Sequence, residues 1–270
     1  MNYRHAYHAG NFADCCKHAL LLLLIRFMQR KAKPILVLDT HAGCGRYDLR
    51  AGPAERTGEW RQGIVRLQAE NPAALGDYLE LVAQLGLYPG SPLIAQSLLR
   101  PVDRLVACEL HPEDAQLLKA EFAGVRNVAV HERDGYAAMR AFLPPPEKRG
   151  LVLIDPPFEQ PDEFARVAKN LEAAWRRFDS GVYAVWYPIK HRAPVRDFVA
   201  TLRLGPIRDV VAAELLLRAP VNPARLNGCG LLIVNPPYGF EEAAMPVCQA
   251  LAASLGEAGG NAGIERLIDE

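Results

Sequence analysis

The apolar positions of this chain fall into short runs of strand length, and stretches with helical spacing separate them. Ile35 to Asp39 is four apolar residues and an acid, the texture of a strand buried on both faces. Arg104 to Leu110, the stretch from Val128, Leu151 to Asp155 and Gly181 to Pro188 follow the same pattern. Helical texture is predicted between them, over about Cys15 to Arg30, Gly58 to Ala69, Pro72 to Leu85, Ser91 to Leu99 and Pro161 to Arg177. Val210 to Leu217 and Gly230 to Val234 are joined by a loop holding Pro220, Pro223 and Gly228. No helix separates them, so an antiparallel pair is expected. A helix over about Glu241 to Ala252 follows, and Gly259-Gly260-Asn261 opens a short tail.

This alternation predicts one α/β domain over residues 1–270. Its sheet is expected to be seven-stranded and mostly parallel, with one antiparallel strand. Residues from about 48 to 90 read as a helical insertion after the first strand, serving packing or the recognition of substrate shape. Asp14 is expected to cap the first helix, and Lys33-Pro34 to close it. Pro89-Gly90-Ser91-Pro92 reads as a turn with Ser91 as N-cap, which would place Ser91 near a cofactor cleft. Residues 1–17 carry three aromatics and two histidines. Such a segment is either a mobile tail or, given its rings and titratable groups, a functional one. Lys17 and His18 in a first helical turn would oppose the helix dipole, which suggests a role other than helix stability.

Two strand ends carry candidate chemistry. Leu38-Asp39-Thr40-His41-Ala42-Gly43-Cys44-Gly45 breaks into a glycine turn, where backbone can approach a ligand closely. The glycine pattern is shorter than a pyrophosphate-binding loop and suits a phosphate-free cofactor. Asp155-Pro156-Pro157-Phe158 is a stiff turn presenting a carboxylate, carbonyls and a ring together. Taken together the turns point to methyl transfer from S-adenosylmethionine to an exocyclic amine. Taken singly, a Gly-x-Gly is common and Asp-Pro-Pro can be a plain turn. Glu109 is either a surface acid or the acceptor for a ribose diol; Asp134-Gly135 is either an ordinary turn or a reader of the cofactor's adenine. Asn235-Pro236-Pro237-Tyr238 matches the same amine-methylation pattern. It ends the second strand of an antiparallel hairpin, so it is expected on the opposite edge of the sheet.

The Asp-Pro-Pro chemistry has a physical basis. The lone pair of an adenine amine is delocalised into the ring. A carboxylate (Asp155) and a carbonyl (Pro156) accepting its two hydrogens favour the pyramidal nitrogen that can attack a methyl group. Phe158 would stack on a base turned out of its helix. Lys190, His191, Arg192 and Arg196 make a candidate phosphate patch, although such a run is more often solvated surface.

Composition narrows the picture. Lys+Arg and Asp+Glu are both 31, so there is no global positive field, and a nucleic acid would be held by local patches. The six cysteines include no Cys-x-x-Cys pair, which argues against zinc; no metal is expected, and reduced thiols fit a cytoplasmic protein. The apolar run Ala19 to Ile25 is too short for a bilayer, which takes about 20 residues, and reads as a buried helix face. No exposed apolar helix face stands out, so a monomer is expected.

The chain resembles the RlmJ (YhiR-type) family of bacterial 23S ribosomal RNA adenine-N6 methyltransferases, within the Rossmann-like class I methyltransferases, over nearly its whole length. The most specific match is Tyr3-Arg4-His5 through His8-Ala9-Gly10-Asn11, Ala13-Asp14 and Lys17-His18. It continues in Leu38 to Gly43, Ala54 to Glu59, Tyr88 to Pro92, Glu109 to Pro112, Asp134-Gly135 and Asp155-Pro156-Pro157. The resemblance implies S-adenosyl-L-methionine as cofactor, with S-adenosyl-L-homocysteine as product, and 23S ribosomal RNA as substrate; the neutral charge balance suggests a modest footprint and so protein-free RNA. It implies catalytic roles for Asp155, Pro156, Pro157, Phe158 and Lys17, and cofactor contacts from His18, Asp39, His41, Gly43, Ser91, Glu109, Asp134 and Gly135. It also implies that the N-terminal segment, with Tyr3, His5 and Lys17, closes over the site and meets the RNA. Phe158 stands where the family often has Tyr, Cys44 sits between the loop glycines in place of a smaller residue, and the C-terminal tail matches weakly. The rival readings are a DNA adenine or protein glutamine methyltransferase, and a non-catalytic RNA-binding assembly factor.

Overall fold

The computed structural model describes residues 4–270. The expected RNA contact of Tyr3 lies outside the described residues. In chain order, α1 (Phe12–Gln29) leads into β1 (Leu36–Asp39). Then come β2 (Arg46–Tyr47), the short helices α2 (Gly52–Thr57), α3 (Ile64–Glu70) and α4 (Gly76–Leu85), and β3 (Tyr88–Pro89). The α5 helix (Ser91–Leu98) returns the chain to the sheet at β4 (Arg104–Glu109), followed by α6 (Pro112–Glu121), β5 (Val128–Glu132), α7 (Gly135–Phe142) and β6 (Gly150–Ile154). The remainder is α8 (Glu163–Trp175), β7 (Val182–Ile189), α9 (Arg192–Leu204), β8 (Val210–Leu216), β9 (Gly228–Val234), α10 (Phe240–Leu255) and β10 (Asn261–Ile268).

The main sheet runs β10-β8-β9-β7-β6-β1-β4-β5. Neighbours from β5 to β7 are parallel. β9 is antiparallel to both β7 and β8, as the hairpin reading expects, and β10 is antiparallel to β8. The sheet therefore has eight strands, two of which (β9 and β10) run against the rest, not seven with one. The extra strand escaped the sequence because Asn261–Ile268 is a half-exposed edge with Gly263, Glu265 and Arg266, the composition that keeps an edge from pairing with other chains.

Alternate residues of the buried strands face opposite layers. Val37 joins the core under α1, α5 and α10, while Leu36 and Leu38 join the core under α7, α8 and α9. Strand order reverses at β1: β4 follows on one side and β6 lies on the other. The crevice at such a reversal, outside the carboxyl ends of the strands, is where open α/β sheets bind ligands. Asp39 and Asp155 stand at the two strand ends that flank it.

Two capping expectations are corrected. Asn11, not Asp14, caps α1, its side-chain oxygen accepting from the N–H groups of Ala13 and Asp14. Asn and Asp are near-equal caps, and the helix begins one turn earlier because Asp14 is needed elsewhere. Ser91 lies inside α5 behind Gly90 and makes no cap; its hydroxyl is spent on Asp39. Lys17 and His18 consequently sit beyond the first turn of α1.

Residues 4–11 pack against the insertion. The N–H of Ile64 donates to Gly10 O at 2.9 Å, and a Cβ on Gly63 would fall 2.1 Å from that oxygen, so only glycine permits the approach. Thr57 Oγ1 donates to Tyr7 O at 2.6 Å, and Glu59 bonds both His8 and Asn11.

Candidate active site

The two turns open on one rim of the sheet. After β1, Asp39 Oδ2 accepts from Ser91 Oγ at 2.6 Å and Oδ1 from the N–H of His41 at 3.3 Å. Thr40 Oγ1 donates to Leu153 O at 2.8 Å, which ties this turn to β6. Gly43 and Gly45 have φ of 62° and 85°, conformations that favour glycine. The Gly43 N–H donates to Glu109 Oε2 at 2.8 Å, and the N–H of His111 to Oε1 at 2.7 Å. Glu109 is thus fixed at the end of β4 with lone pairs remaining for a ligand. Asp134 ends the turn after β5, where it caps α7 by accepting from Ala137 N at 2.7 Å. A Cβ on Gly135 would lie 2.4 Å from Thr40 O, so this turn packs directly on the glycine loop.

After β6, Lys17 Nζ reaches Asp155 Oδ2 at 2.6 Å and Asp14 Oδ1 at 2.9 Å. Asp14 Oδ2 also bonds His5 Nε2 at 2.9 Å and accepts from the Gly10 N–H at 3.0 Å. Asp14 was read as a cap; it is instead the hub linking the N-terminal segment to Asp155. Its one local sign is the spacing, since an acid and a lysine three apart share one helix face. Phe158 takes φ +48°, unusual for an aromatic residue, and packs at 4.8 Å from the Phe164 ring and 5.9 Å from Trp186. Trp186, inside β7 and not among the expected site residues, faces the cleft beside Phe158.

Burial sets the charges. It disfavours the Lys17 ammonium, but Asp14 and Asp155 more than offset this, and the Lys17 pKa is raised. Burial likewise works against the Asp14 carboxylate, yet His5, Lys17 and His18 hold it well below the usual range. Burial, aided by the Asp155 charge, pushes Asp39 up to about 6 against the Ser91 hydrogen bond. His41 is pushed down to about 4 and His18 to about 3 by burial, so both are neutral imidazoles near neutral pH. His18 Nδ1 bonds the Tyr88 hydroxyl at 3.0 Å, and its Nε2 is buried with no hydrogen-bond partner among the described residues.

Three chambers meet here. One of about 250 Å³ is lined by His41, Glu109, Asp134, Gly135, Pro156 and Pro157, among others. A tight inner space is lined by His18, His41, Gly43, Ser91, Lys17 and Asp155. A cleft of about 490 Å³ opens to the other side of Asp155, with His5, Asp14, Lys17, Phe158 and Trp186 in its wall. The structure therefore brings together the described residues expected at the site: Lys17, His18, Asp39, His41, Gly43, Ser91, Glu109, Asp134, Gly135, Asp155, Pro156, Pro157 and Phe158, with His5 beside them. The Asn235 turn is not among them. Asn235 Nδ2 donates to Asp179 O at 2.6 Å and Gly181 O at 2.7 Å, at the start of β7 and so at the far edge of the sheet. Of the suspected basic patch, Lys190 lines the cleft, Arg192 pairs with Glu214, and His191 caps α9. Among the described residues no helix is long and apolar enough to cross a membrane, and no cluster could hold a metal ion.

Comparison with known proteins agrees with this fold. The fold matches the crystal structure of a Legionella pneumophila protein with a TM-score of 0.88 and 35% identity, over 96% of this chain and 98% of that one. A probable spermidine synthase from Corynebacterium glutamicum shares the fold alone, at a TM-score of 0.53 and 12% identity over 91% of this chain and 73% of that one. The chain is 39% identical to ribosomal RNA large subunit methyltransferase J of Escherichia coli over the full length of both. It is 38% identical to the Haemophilus influenzae protein of the same name over 94% of each. The family described as ribosomal RNA large subunit methyltransferase D, RlmJ, matches residues 32–268, and this chain belongs to that family of ribosomal RNA methyltransferases.

Proposed function

We propose that this protein transfers the methyl group of S-adenosylmethionine to N6 of one adenine in 23S ribosomal RNA. The observation that carries this reading is the junction at Asp155: one carboxylate borders both the tight space beside the glycine turn and the wide cleft on the other side. A donor on one side and an acceptor on the other would meet at that carboxylate.

The residues fit the cofactor. The acids Glu109 and Asp134 border a chamber without a phosphate-binding loop, which suits a phosphate-free nucleoside. The buried, unpaired Nε2 of His18 borders the inner space, where a polar amino-acid group would satisfy it. Glu109 would hold the ribose, Asp134 and Gly135 the adenine, and Ser91, His18, His41 and Gly43 the methionyl end. When bound, the cofactor supplies an electrophilic sulfonium methyl and leaves as S-adenosylhomocysteine.

The chain supplies position and hydrogen bonds. Lys17 occupies Asp155 Oδ2, so Oδ1 and the Pro156 carbonyl are the acceptors offered to the target amine. With both hydrogens held, the nitrogen lone pair is turned out of the ring toward the methyl group. As the C–N bond forms, the nitrogen sheds one proton, with the Asp155 carboxylate as its acceptor. Phe158 is held by Phe164 and Trp186 as one wall for the base. Such in-line positioning can supply several kcal/mol, up to about 7–11 in ideal cases.

The test uses methyl-labelled cofactor against protein-free 23S RNA, assembled ribosomal subunits, duplex DNA and protein, with the labelled base mapped by mass spectrometry. N6-methyladenine at one site in the protein-free RNA is expected. Label in DNA or in glutamine, or RNA binding without turnover, would replace this reading by one of its rivals. The neutral charge balance predicts a shallow salt dependence, and a slope implying many phosphate contacts would count against a small monomeric footprint.

A further inference from the structure

β7 outruns its neighbour β6. Their parallel register ends with Ile154 opposite Val185, while β7 continues to Ile189 and stays paired with β9 as far as Gly228. Trp186, Pro188 and Lys190 are alternate positions on one face of this overhang, and all three line the cleft above Asp155 together with Leu226. The intervening Tyr187 takes the other face: it packs over Gly230, where a Cβ would lie 2.1 Å from its ring, and its hydroxyl donates to Glu214 at 2.8 Å.

We propose that this overhang is a subsite for the nucleotide adjacent to the methylated one, its base lying against Trp186 and Pro188 and its phosphate at Lys190. The inference rests on the nucleic-acid reading above and deepens it. Four observations carry it. The cleft, at about 490 Å³, has the size of sites that take whole drug-sized molecules, more than one flat base fills. Its wall rises about 13 Å from Trp186 to Lys190, beyond the reach of a base held at Asp155. Lys190 is exposed and has no ion pair among the described residues, whereas the neighbouring Arg192 is engaged by Glu214. The Lys190 backbone is held ready, since buried Asn227 donates from Nδ2 to Lys190 O and to Asn222 O at 2.8 Å each. Glu159 also lines this cleft, so a phosphate is expected at Lys190 and away from that carboxylate.

The experiment measures binding of adenosine monophosphate and of single-stranded RNAs in which the adenosine carries a flanking nucleotide on either side, to the full chain loaded with S-adenosylhomocysteine. The flanked RNA is expected to bind more tightly than the monophosphate. Lys190→Gln should lower the salt slope for the flanked RNA by about 0.7, one single-strand phosphate contact, and leave the monophosphate slope unchanged. Trp186→Leu should weaken the flanked RNA about 10-fold, with Trp186→Phe restoring most of it. Removing the flanking base should cost wild type the same factor and cost Trp186→Leu nothing further. Equal binding of flanked and unflanked ligands, an unchanged slope in Lys190→Gln, or additive losses from the abasic flank and Trp186→Leu would overturn the subsite. Should wild type bind flanked RNA as expected yet methylate no adenine, the reading of function falls and the subsite stands.

Discussion

Two nearly identical tetrapeptides, Asp155-Pro156-Pro157-Phe158 and Asn235-Pro236-Pro237-Tyr238, end strands of the same sheet and have different fates. The first follows a strand parallel to β1 and meets the glycine turn at the reversal of strand order. The second follows a reversed strand and exits where β7 begins. Asp155 is met by Lys17; Asn235 spends its amide on two backbone carbonyls, and Tyr238 is fully exposed. A short motif is chemistry in waiting, and strand direction decides whether a partner is there to use it.

The largest effect that tests this contrast is on turnover. Asp155→Ala is expected to lower kcat for RNA by at least about 10³-fold while the Kd for S-adenosylmethionine, by calorimetry, stays within about threefold. Comparable turnover in the variant would return the motif to a plain turn.

The ionic support beneath Asp155 comes next. Asp14 has a depressed pKa, so its contribution to stability is present above the unfolded carboxylate value of about 3.9 and is lost as pH falls through the lower folded value. Asp14→Asn should therefore cost about 3 kcal/mol at neutral pH and flatten the acid limb of stability in urea titrations. Lys17 is raised, so its contribution is present below about pH 10.4 and is lost as pH rises toward the folded value. Wild-type acid sensitivity in Asp14→Asn would show that Asp14 is not the ionic hub.

At the ring, Phe158→Ala should lower kcat/KM for RNA about 10- to 100-fold, and Phe158→Tyr should restore it, since the ring is what the base would meet. A loss in Phe158→Tyr equal to that in Phe158→Ala would exclude stacking. At the other turn, Asn235→Asp should leave methylation unchanged while costing about 1–2 kcal/mol, because a carboxylate would face two carbonyl oxygens. The smallest effect is expected of Tyr238→Ala, within about 0.5 kcal/mol in denaturant midpoints and silent in activity. A methylation defect in either variant would reopen the competition between the two turns.

Much of the site was legible because its residues are local signals. An acid at a strand end, paired glycines and two prolines carry their meaning within a few positions. Of the hub at Asp14 only the spacing to Lys17 was legible, because His5, which bonds Asp14, and Asp155, which bonds Lys17, converge on it only in the folded chain. Trp186 reads as core inside an apolar run, and only the longer reach of β7 past β6 turns it toward a cleft. The edge strand Asn261–Ile268 was missed because protective edges are written in charged and small residues.

By itself the sequence determined the alternating elements, the crossover pattern, the two turns and the resemblance to a methyltransferase family, since periodicity and short motifs act over a few residues. Tertiary structure alone decided which carboxylates receive Lys17, how Trp186 comes to face the cleft and how Asp39 is driven up to about 6. Those outcomes depend on strand direction and on water removed by distant segments, and neither is a property of any local stretch of chain.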